Sequence, residues 1–242
     1  QPQIAVKQSR TPLVLDMAGQ GAGKTLNIGF DTFEKIRAVP QIKGFIGANT
    51  YLQLSQSNLN RAFATWKFLG GWEQYDKVSN PEGVFVVDRK PPAHFQQFEI
   101  LKNYRNTICF ANGCLIFTGS LDNYMAHDGK EFGWAHLDET KDTKKEAVTQ
   151  VILARLRQTG MFYAENIAGR PYFYDGDITQ DEAMLKNYIA YNPCIIHTSP
   201  SYGGVDWLIE LFGFDKDQQE IRTTLAKPQG YYIKTTEFNT VV

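Results

Sequence analysis

The sequence has few cysteines, no long apolar run and almost no excess of either charge. Its three cysteines lie in apolar runs, none in CxxC spacing. This predicts reduced core residues of a cytosolic protein rather than a disulfide framework or a zinc site. The sequence contains no signal peptide and no apolar stretch of membrane length. With a net charge of −1, the chain lacks an overall positive field, so any DNA contact must come from a local patch or from several subunits together.

What the sequence does contain is enough apolar material for one large core. Of its 242 residues, 43% are hydrophobic, and we predict a single P-loop ATPase domain over residues 1–242. Residues 1–11 predict a polar, extended lead-in, and residues 13–15 an apolar strand that is followed by a helix to about Val39. A buried strand is predicted at 44–48, and then a helix that Thr50 caps and Gly70-Gly71 ends. This alternation predicts a parallel sheet with crossover helices. The second helix is expected to bury Leu52, Leu59, Ala62, Phe63, Trp66 and Leu69.

Residues 13–25, LVLDMAGQGAGKT, form the pattern of a P-loop, in which a strand, a glycine-rich turn and a helix follow one another. The glycines let backbone N–H groups close around phosphate oxygens at the helix N-terminus. Lys24 is expected to reach the β- and γ-phosphates of ATP, and the Thr25 hydroxyl to ligate Mg²⁺. The predicted nucleotide-binding residues are Ala18, Gly19, Gln20, Gly21, Ala22, Gly23, Lys24 and Thr25.

One position departs from the P-loop motif, because Ala18 stands where the first glycine is expected. Three further glycines still supply the flexible positions. The alternative interpretation is an ordinary glycine-rich turn followed by a surface lysine. Upstream of the loop, Gln3 or Gln8 could hydrogen-bond an adenine edge, and a solvated leader is the alternative there.

A second motif, residues 132–139 (FGWAHLDE), is an apolar strand that ends in paired carboxylates. This is the pattern of a Walker B strand. Asp138 is expected to hold the Mg²⁺ ion, and Glu139 to polarise the attacking water as the catalytic glutamate. The alternative is a helix N-cap followed by its first acidic residue. The long interval between the two motifs leaves room for another strand between them.

Other segments complete the predicted order of elements. Residues 72–98 are rich in proline and predict a loop, a small insertion or a β-ribbon. Residues 107–111 and 114–118 predict a hairpin, because Asn112-Gly113 suits both positive-φ positions of a type I′ turn. Helices are predicted at 143–158, ended by Gly160, at 182–191 and at 207–212, and a terminal strand at 230–237.

A buried strand at 194–198 leads into Thr198, Ser199 and Pro200. Because parallel strands end at one edge of a sheet, these residues are expected to converge with the P-loop and the paired carboxylates.

Together these segments resemble the ATPase domain of phage large terminases, the motors that package DNA into procapsids. Five stretches carry the resemblance: AGQGAGKT, GANTYLQLSQSNLNRAF, ICFANGCLIFTGSLDN, FGWAHLDET and HTSPSYGGVDWLIELF. Many NTPases share the P-loop, whereas NGCLIFTGS shortly before HLDET, and TSP followed by WLIELF, are more particular to terminases. The resemblance implies an α/β fold, a P-loop NTPase of the additional-strand (RecA-like/terminase) type with a β-hairpin before Walker B.

The resemblance also implies a function. It implies a Mg²⁺-dependent ATPase that powers translocation of viral double-stranded DNA into a procapsid. Thr198, Ser199 and Pro200 correspond to the motif that couples hydrolysis to movement. The implied partners are DNA, a portal protein and a small terminase subunit, with no membrane. The implied active form is a homo-oligomeric ring, with a monomer in isolation, and the implied location is the host cytoplasm, transiently at the procapsid portal vertex.

Some terminases carry an arginine three residues before the last P-loop glycine, where this chain has Gln20. The resemblance therefore implies that a neighbouring subunit supplies the arginine. The candidates are Arg155, Arg157 and Arg105. Arg155 lies at the edge of an apolar helix face, so a structural ion pair is the alternative role for it.

Two alternatives to a packaging motor stay open. One is a RecA-like or superfamily 2 helicase or remodelling ATPase, and the other is a non-motor P-loop nucleotide-binding protein. Large terminases usually add a nuclease domain with clustered acidic residues. The sequence shows no such set outside Asp138-Glu139, so we expect an isolated ATPase domain. A small basic group, Lys141, Lys144 and Lys145, could contact DNA or form a solvated helix face.

Overall fold

A mixed β-sheet runs through the protein in the computed structural model, which describes residues 2–9, 11, 13–19, 21–39, 41–158, 194–200, 204–213, 234–235 and 239–241. Gln20, Gly160 and the predicted helix at 182–191 lie outside these residues. The strands are β1 (Leu13–Met17), β2 (Lys43–Ala48), β3 (Phe85–Val87), β4 (Thr107–Phe110), β5 (Leu115–Ser120), β6 (Trp134–Asp138), β7 (Cys194–Thr198), β8 (Lys234–Thr235) and β9 (Asn239–Val241).

Across the described residues the strands lie in the order β3-β4-β5-β2-β6-β7-β1-β9-β8. The run from β5 to β9 is parallel, whereas β3, β4 and β8 pair antiparallel at the two ends of the sheet. β7 lies between the P-loop strand β1 and the strand β6 that ends in Asp138. This additional strand and the mostly parallel sheet confirm the predicted fold class, a P-loop NTPase of the RecA-like/terminase type.

Helical segments connect and cover the strands. The α-helices are α1 (Pro2–Gln8), α2 (Lys24–Ala38), α3 (Tyr51–Gln53), α4 (Asn60–Gly70), α5 (Leu153–Arg155) and α6 (Asp206–Phe212). A π-helix, Leu54–Leu59, joins α3 to α4, and another, Ala147–Ile152, precedes α5. Short 3₁₀ segments cover Tyr124–His127 and Thr140–Asp142. Within the described part of the chain, no helix is both long enough and apolar enough to span a bilayer.

The helix from Tyr51 to Gly70 begins and ends where the sequence predicted, but its buried stripe is shifted at the start. The Thr50 hydroxyl accepts a hydrogen bond from the Gln53 N–H at 3.3 Å, which caps the helix. Leu52 is 63% exposed and Leu54 is fully buried, so the predicted burial of Leu52 is wrong. The π-helical turns that follow take more residues per turn than an α-helix, which rotates the buried face.

Two other predictions near the sheet edges are corrected. Residues 2–8 form a helix rather than an extended lead-in, because Val6 is fully buried against Val14 and Ile195. Of the predicted terminal strand at 230–237, only Lys234–Thr235 lies among the described residues, and it pairs with β9. β9 itself adds a parallel strand beside β1 that the sequence did not predict.

The hairpin of β4 and β5 is confirmed, but its turn differs from the prediction. Gly113 has a φ of 83°, whereas Asn112 is not among the residues with positive φ. The Gly113 N–H donates to the Phe110 carbonyl at 3.0 Å, so Ala111 and Asn112 occupy the centre of the turn. Asn112 is fully buried and donates its amide to the Ile36 carbonyl at 2.9 Å. This tertiary bond fixes Asn112 in a way that local turn preferences do not predict.

Alternating strand residues build a core on each side of the sheet. One core, around Trp66, Phe110 and Trp134, packs against α2 and α4. The other, around Phe45 and Phe132, packs against α6 and the Ala147–Ile152 segment. The three cysteines are buried and form no disulfide bond, and burial raises the pKa of Cys109 to about 11 and those of Cys114 and Cys194 to about 12. They are core residues, as predicted, with little thiolate character.

Candidate nucleotide site

The glycine-rich loop joins the end of β1 to the start of α2 in a left-handed backbone conformation. Gly21 has a φ of 76° and Gly23 a φ of 88°, a region that residues with a Cβ rarely adopt. No atom lies within 4 Å of where a Cβ would project from Gly19 or Gly21. The loop therefore presents backbone and open space, as a phosphate-binding loop requires.

Lys24 lies inside this loop rather than in solvent. Lys24 is only 7% exposed. The ammonium donates to the carbonyl oxygens of Ala18 at 2.7 Å and Gly19 at 3.0 Å, and lies 3.4 Å from the Ser199 hydroxyl. A surface lysine after an ordinary turn, the alternative interpretation, would not be held in this way.

The leader also reaches the loop. Gln3 donates its side-chain amide to the carbonyl of Ala22, and the amide nitrogen lies 3.5 Å from where a Cβ of Gly23 would be. Gln3 is therefore bound against the P-loop rather than free in a solvated leader. The side chain of Gln8, the other predicted adenine contact, lies outside the described positions.

The paired carboxylates stand at the carboxyl end of β6. Asp138 is buried, and its Oδ1 accepts a hydrogen bond from the Glu139 N–H at 3.0 Å. Glu139 has a φ of 50° and a ψ of 45°, a strained conformation for a residue with a side chain. Glu139 makes no capping bond to the 3₁₀ segment that follows, so the geometry does not support the alternative interpretation of this pair as a helix cap. One carboxylate oxygen, Oε2 of Glu139, is buried with no hydrogen-bond partner among the described residues.

Burial also changes the acidity of Asp138. Burial raises the pKa of its carboxyl above the usual range, while the positive charge of His197 opposes that rise and the neighbouring Glu139 carboxylate reinforces it. A cation beside these two carboxylates would relieve the cost of holding their negative charge in a low-dielectric site.

The end of β7 completes the candidate site. The Ala18 N–H donates to the Thr198 carbonyl at 3.1 Å, which fixes the start of the P-loop to the end of β7. The Ser199 hydroxyl donates to Oε1 of Glu139 at 3.1 Å and lies within 3.4 Å of Lys24. Pro200 follows and is exposed. The P-loop, the carboxylate pair and residues 198–199 therefore converge at one edge of the sheet, as predicted.

The residues at this edge fit a Mg²⁺–nucleotide. The open glycine surface and the buried ammonium suit phosphate oxygens, and the orphaned oxygen of Glu139 suits a water molecule. No group of three or more His, Cys, Asp or Glu residues among the described positions could hold a metal ion by itself. Mg²⁺ is usually bound by one or two carboxylates together with phosphate oxygens and water.

The three candidate arginines have different surroundings. Arg155 forms an ion pair with Asp128, which is the structural role that the sequence left open for it. Arg105 and Arg157 are exposed, and both line a cavity of about 510 Å³ together with Lys102 and Lys130. Neither has an ion pair with a carboxylate among the residues that the structure describes. Of the basic group after β6, Lys145 pairs with Glu210 at 2.9 Å.

Sequence reasoning missed a buried polar chain beneath the site. His136, His197, Asp16 and Asp31 lie in line, and all four belong to strands or the helix that carry the site. Burial lowers the pKa of His136 to about 4, although its bond to Asp31 opposes this. Burial would raise the pKa of Asp31, but Lys35 and His136 outweigh burial and hold that pKa well below its usual range. The sequence did contain a signal for this chain. Asp16, His136 and His197 each lie two positions before a predicted site residue.

Comparison with known proteins finds relatives only among solved structures. No protein-family model matches the chain, and no curated protein does. A large terminase from a thermophilic bacteriophage is similar over 95% of this chain and 47% of its own, with 12% identity and a TM-score of 0.51. The Phi-28 gp11 DNA packaging motor (98% and 57%, 12% identity, TM-score 0.49) and the large terminase ATPase domain of Thermus phage P74-26 (95% and 88%, 14% identity, TM-score 0.44) also match.

At these identities the likeness concerns the fold. The chain spans about half the length of the large terminase from the thermophilic bacteriophage. The resemblance to phage large terminase ATPase domains, first drawn from the five sequence segments, is thus confirmed in the fold of the chain.

Proposed function

We propose that this chain is a Mg²⁺-dependent ATPase, and that its hydrolysis of ATP drives viral double-stranded DNA into a procapsid. One observation carries the proposal. A continuous set of contacts runs from Lys24 through Ser199 to Glu139. It joins the glycine-rich loop to a carboxylate whose second oxygen is buried and has no hydrogen-bond partner in the described part of the chain. A structural polar cluster would have no need of a buried carboxylate oxygen without a partner.

Each residue then has a defined task. The backbone of residues 18–25 binds the phosphates, and Lys24 exchanges loop carbonyls for the terminal phosphates. Thr25 and Asp138 would hold the Mg²⁺ ion, which would supply positive charge beside the phosphates. Glu139 orients the attacking water and accepts its proton. Ser199 contacts both Lys24 and Glu139. A movement of Lys24 at the phosphates therefore changes a contact at the end of β7.

Several finer features belong to the same proposal. The terminase-like fold supports DNA as the substrate that is moved, with a portal protein and a small terminase subunit as partners and a ring of subunits as the active form. Because the chain carries a net charge of only −1, DNA binding depends on a local surface that several subunits combine. The place of action is the host cytoplasm, at the portal vertex during packaging.

The test is ATP hydrolysis by the purified chain with Mg²⁺, measured with and without double-stranded DNA and then with procapsids that carry a portal. We expect slow hydrolysis alone and stimulation by DNA and portal together. Stimulation by single-stranded DNA with strand separation would favour the helicase alternative. Nucleotide binding without hydrolysis under any of these conditions would favour a non-motor P-loop protein.

A further inference from the structure

A buried row of polar side chains lies one residue layer below the nucleotide site. His197 Nδ1 lies 2.9 Å from Asp16 Oδ2, and its Nε2 lies 3.0 Å from His136 Nδ1. His136 Nε2 in turn lies 2.6 Å from Asp31 Oδ2. The two rings stack at 5.3 Å with an interplanar angle of 10°. We call this row the histidine layer; its members are Asp16, His197, His136 and Asp31.

The histidine layer is in register with the site above it. Along a strand, residues two apart lie on the same face. His136 and Asp138 therefore lie on one face of β6. Asp16 and His197 each stand two residues before a residue that follows the strand end, Ala18 after β1 and Ser199 after β7.

The fourth member comes from the P-loop helix. Asp31 lies on α2, two turns after Lys24, so both project from one side of that helix. Every element that carries a site residue thus also contributes one member to the layer.

Hydrogen bonding sets the number of protons in this layer. Three bonds that end on two carboxylates need three protons, whereas two neutral imidazoles supply two. The row therefore holds a third proton, on a ring or on a carboxyl group. Lys35 pairs with Asp31 at one end of the row.

A fully bonded row is rigid, because breaking any bond leaves a buried polar group without a partner, at a cost of about 1–3 kcal/mol. His136 and His197 are both fully buried, so water cannot replace a lost bond. The row crosses β1, β7 and β6 and reaches α2. It therefore opposes any displacement of these four elements relative to one another.

We propose that the histidine layer is a positioning device that keeps the P-loop, Ser199 and the carboxylate pair aligned for hydrolysis. This inference rests on the proposed ATPase function. Among the described residues, no side-chain hydrogen bond joins the layer to a predicted nucleotide or metal residue. His197 follows Ile196, the register partner of Leu137, and its charge acts on the neighbouring Asp138 carboxyl. The layer therefore acts through the strand ends, the helix and this charge. Its loss should affect the rate of the chemical step more than the affinity for nucleotide.

The test uses the whole chain with His197→Asn and His197→Gln. Asn can keep the bond toward Asp16, and Gln can keep the bond toward His136, so each variant breaks one link. We expect both to lower kcat on the order of 10- to 100-fold. KM for ATP, and the dissociation constant of Mg²⁺ with a non-hydrolysable ATP analogue, should stay within about threefold of wild type.

The matched control is Thr32→Val. Thr32 is fully buried on the same helix, next to Asp31, but its hydroxyl donates to Ile28 and accepts from Trp66 on the α4 side. This variant should lose stability and keep the wild-type kcat per nucleotide-binding site. If the His197 variants also keep the wild-type kcat per binding site, the layer is only structural and the inference is wrong.

A second measurement does not depend on turnover. Nitrogen-15 spectra of the histidine rings should show ring N–H protons for both histidines, and the Mg²⁺–analogue complex should shift both sets of signals. Rings that do not respond to bound nucleotide would overturn the inference while leaving the ATPase proposal intact. A wild-type chain that neither binds nor hydrolyses ATP would instead refute the proposed function, and the positioning role with it.

Discussion

The Ser199 hydroxyl donates a hydrogen bond to the Glu139 carboxylate at 3.1 Å, and it does so from a position 3.4 Å from the Lys24 ammonium. These residues come from the end of β7, the end of β6 and the P-loop helix. Ser199 thus connects the phosphate-binding lysine to the proposed catalytic carboxylate. Any movement of Lys24 toward a phosphate changes a contact of the residue that also holds Glu139.

Replacing Ser199 by alanine tests this connection. Hydrogen bonds to charged groups are worth about 1.5–3 kcal/mol, so Ser199→Ala should lower kcat on the order of 10- to 100-fold if the bond orients Glu139 during hydrolysis. Binding of Mg²⁺–ATP should change little, since the phosphate-binding loop is untouched. Steady-state hydrolysis and equilibrium titration with a non-hydrolysable analogue measure the two effects.

The control for Ser199 is Ser120→Ala. Ser120 also ends a strand at this edge of the sheet, and its hydroxyl donates to the Asn49 carbonyl at 2.6 Å, outside the proposed site. It should leave kcat unchanged. Equal losses of kcat in the two variants would mean that Ser199 has no special role at Glu139.

Lys24→Ala should abolish hydrolysis and weaken ATP binding while the fold stays intact. In the proposed mechanism its ammonium is the point charge that binds the terminal phosphates. In the structure it donates to loop carbonyls, and water can take over these bonds when the side chain is removed. Isothermal titration with ATP and a thermal unfolding curve test both parts. Lys67→Ala, which removes an exposed pair with Glu73, is the control, and wild-type turnover in Lys24→Ala would remove the P-loop from the mechanism.

The carboxylate pair should fail in two different ways. Glu139→Gln should still bind Mg²⁺–ATP and lose hydrolysis by about 10² or more, because the water loses its base. Asp138→Asn should weaken Mg²⁺-dependent ATP binding itself, since Asp138 is assigned to the metal. Asp142→Asn alters an exposed carboxylate nearby and should behave as wild type. The assignment is wrong if Glu139→Gln turns over ATP normally, or if Asp138→Asn binds Mg²⁺–ATP undisturbed.

Much of this arrangement could be predicted from the sequence because local patterns determine it. Strand periodicity, the glycines of the P-loop, the Thr50 cap and the Asp138-Glu139 pair each depend on neighbours in the chain. Their convergence then follows from one topological rule, that parallel strands end at the same edge. The order of the elements and the proposed nucleotide and metal ligands could therefore be predicted together.

The features that could not be predicted depend on tertiary contacts. Asn112 is fixed by the carbonyl of Ile36, and the exposure of Leu52 follows from a π-helix that starts at Leu54. The histidine layer joins residues that are far apart in sequence. Its two histidines resemble ordinary strand residues in the sequence, and only the register of β6 and β7, with Leu137 beside Ile196, brings the two rings together.

The missing positive charge in the P-loop, where Gln20 stands, should come from another subunit. An arginine at the developing charge of phosphoryl transfer contributes roughly 10³- to 10⁵-fold to the rate. We expect Arg105→Ala or Arg157→Ala to lower hydrolysis in the assembled state, and specific activity of the wild type to rise with protein concentration. Arg155→Ala should chiefly lower stability, because it breaks the ion pair with Asp128, and Asp128→Asn should cause a similar loss.

Mixed subunits distinguish these roles. An arginine variant that acts in trans, mixed with Glu139→Gln, should recover part of the activity, since each subunit supplies what the other lacks. Recovery is not expected for a variant whose defect is lost stability. A specific activity that stays high and constant down to concentrations at which the chain is monomeric would exclude the arrangement in trans.

Acid should destabilise the protein through His127. Its Nε2 lies 3.0 Å from the Ser120 carbonyl and must donate to it, while its Nδ1 lies 3.3 Å from the Lys130 ammonium and must accept. Only the neutral ring satisfies both partners. Burial accordingly lowers the pKa of His127 from 6.5 to about 4. Because the unfolded chain takes up this proton first, the stabilisation is complete above pH 6.5 and is lost as the pH falls from about 6.5 to about 4, by about 3 kcal/mol in all.

Urea unfolding between pH 7 and pH 5 measures this effect. The pKa of His136 is also lowered to about 4, so this residue contributes a loss of the same sign. In this range the unfolded wild type should bind up to about two more protons than the folded protein, and this difference sets how steeply the free energy of unfolding falls with pH. His127→Gln keeps a donor for the Ser120 carbonyl but cannot titrate. It should therefore reduce the slope by up to about 1.4 kcal/mol per pH unit. His94→Gln, at an exposed position, should leave the slope as it is in the wild type, and an unchanged slope in His127→Gln would show that the buried ring does not govern acid stability.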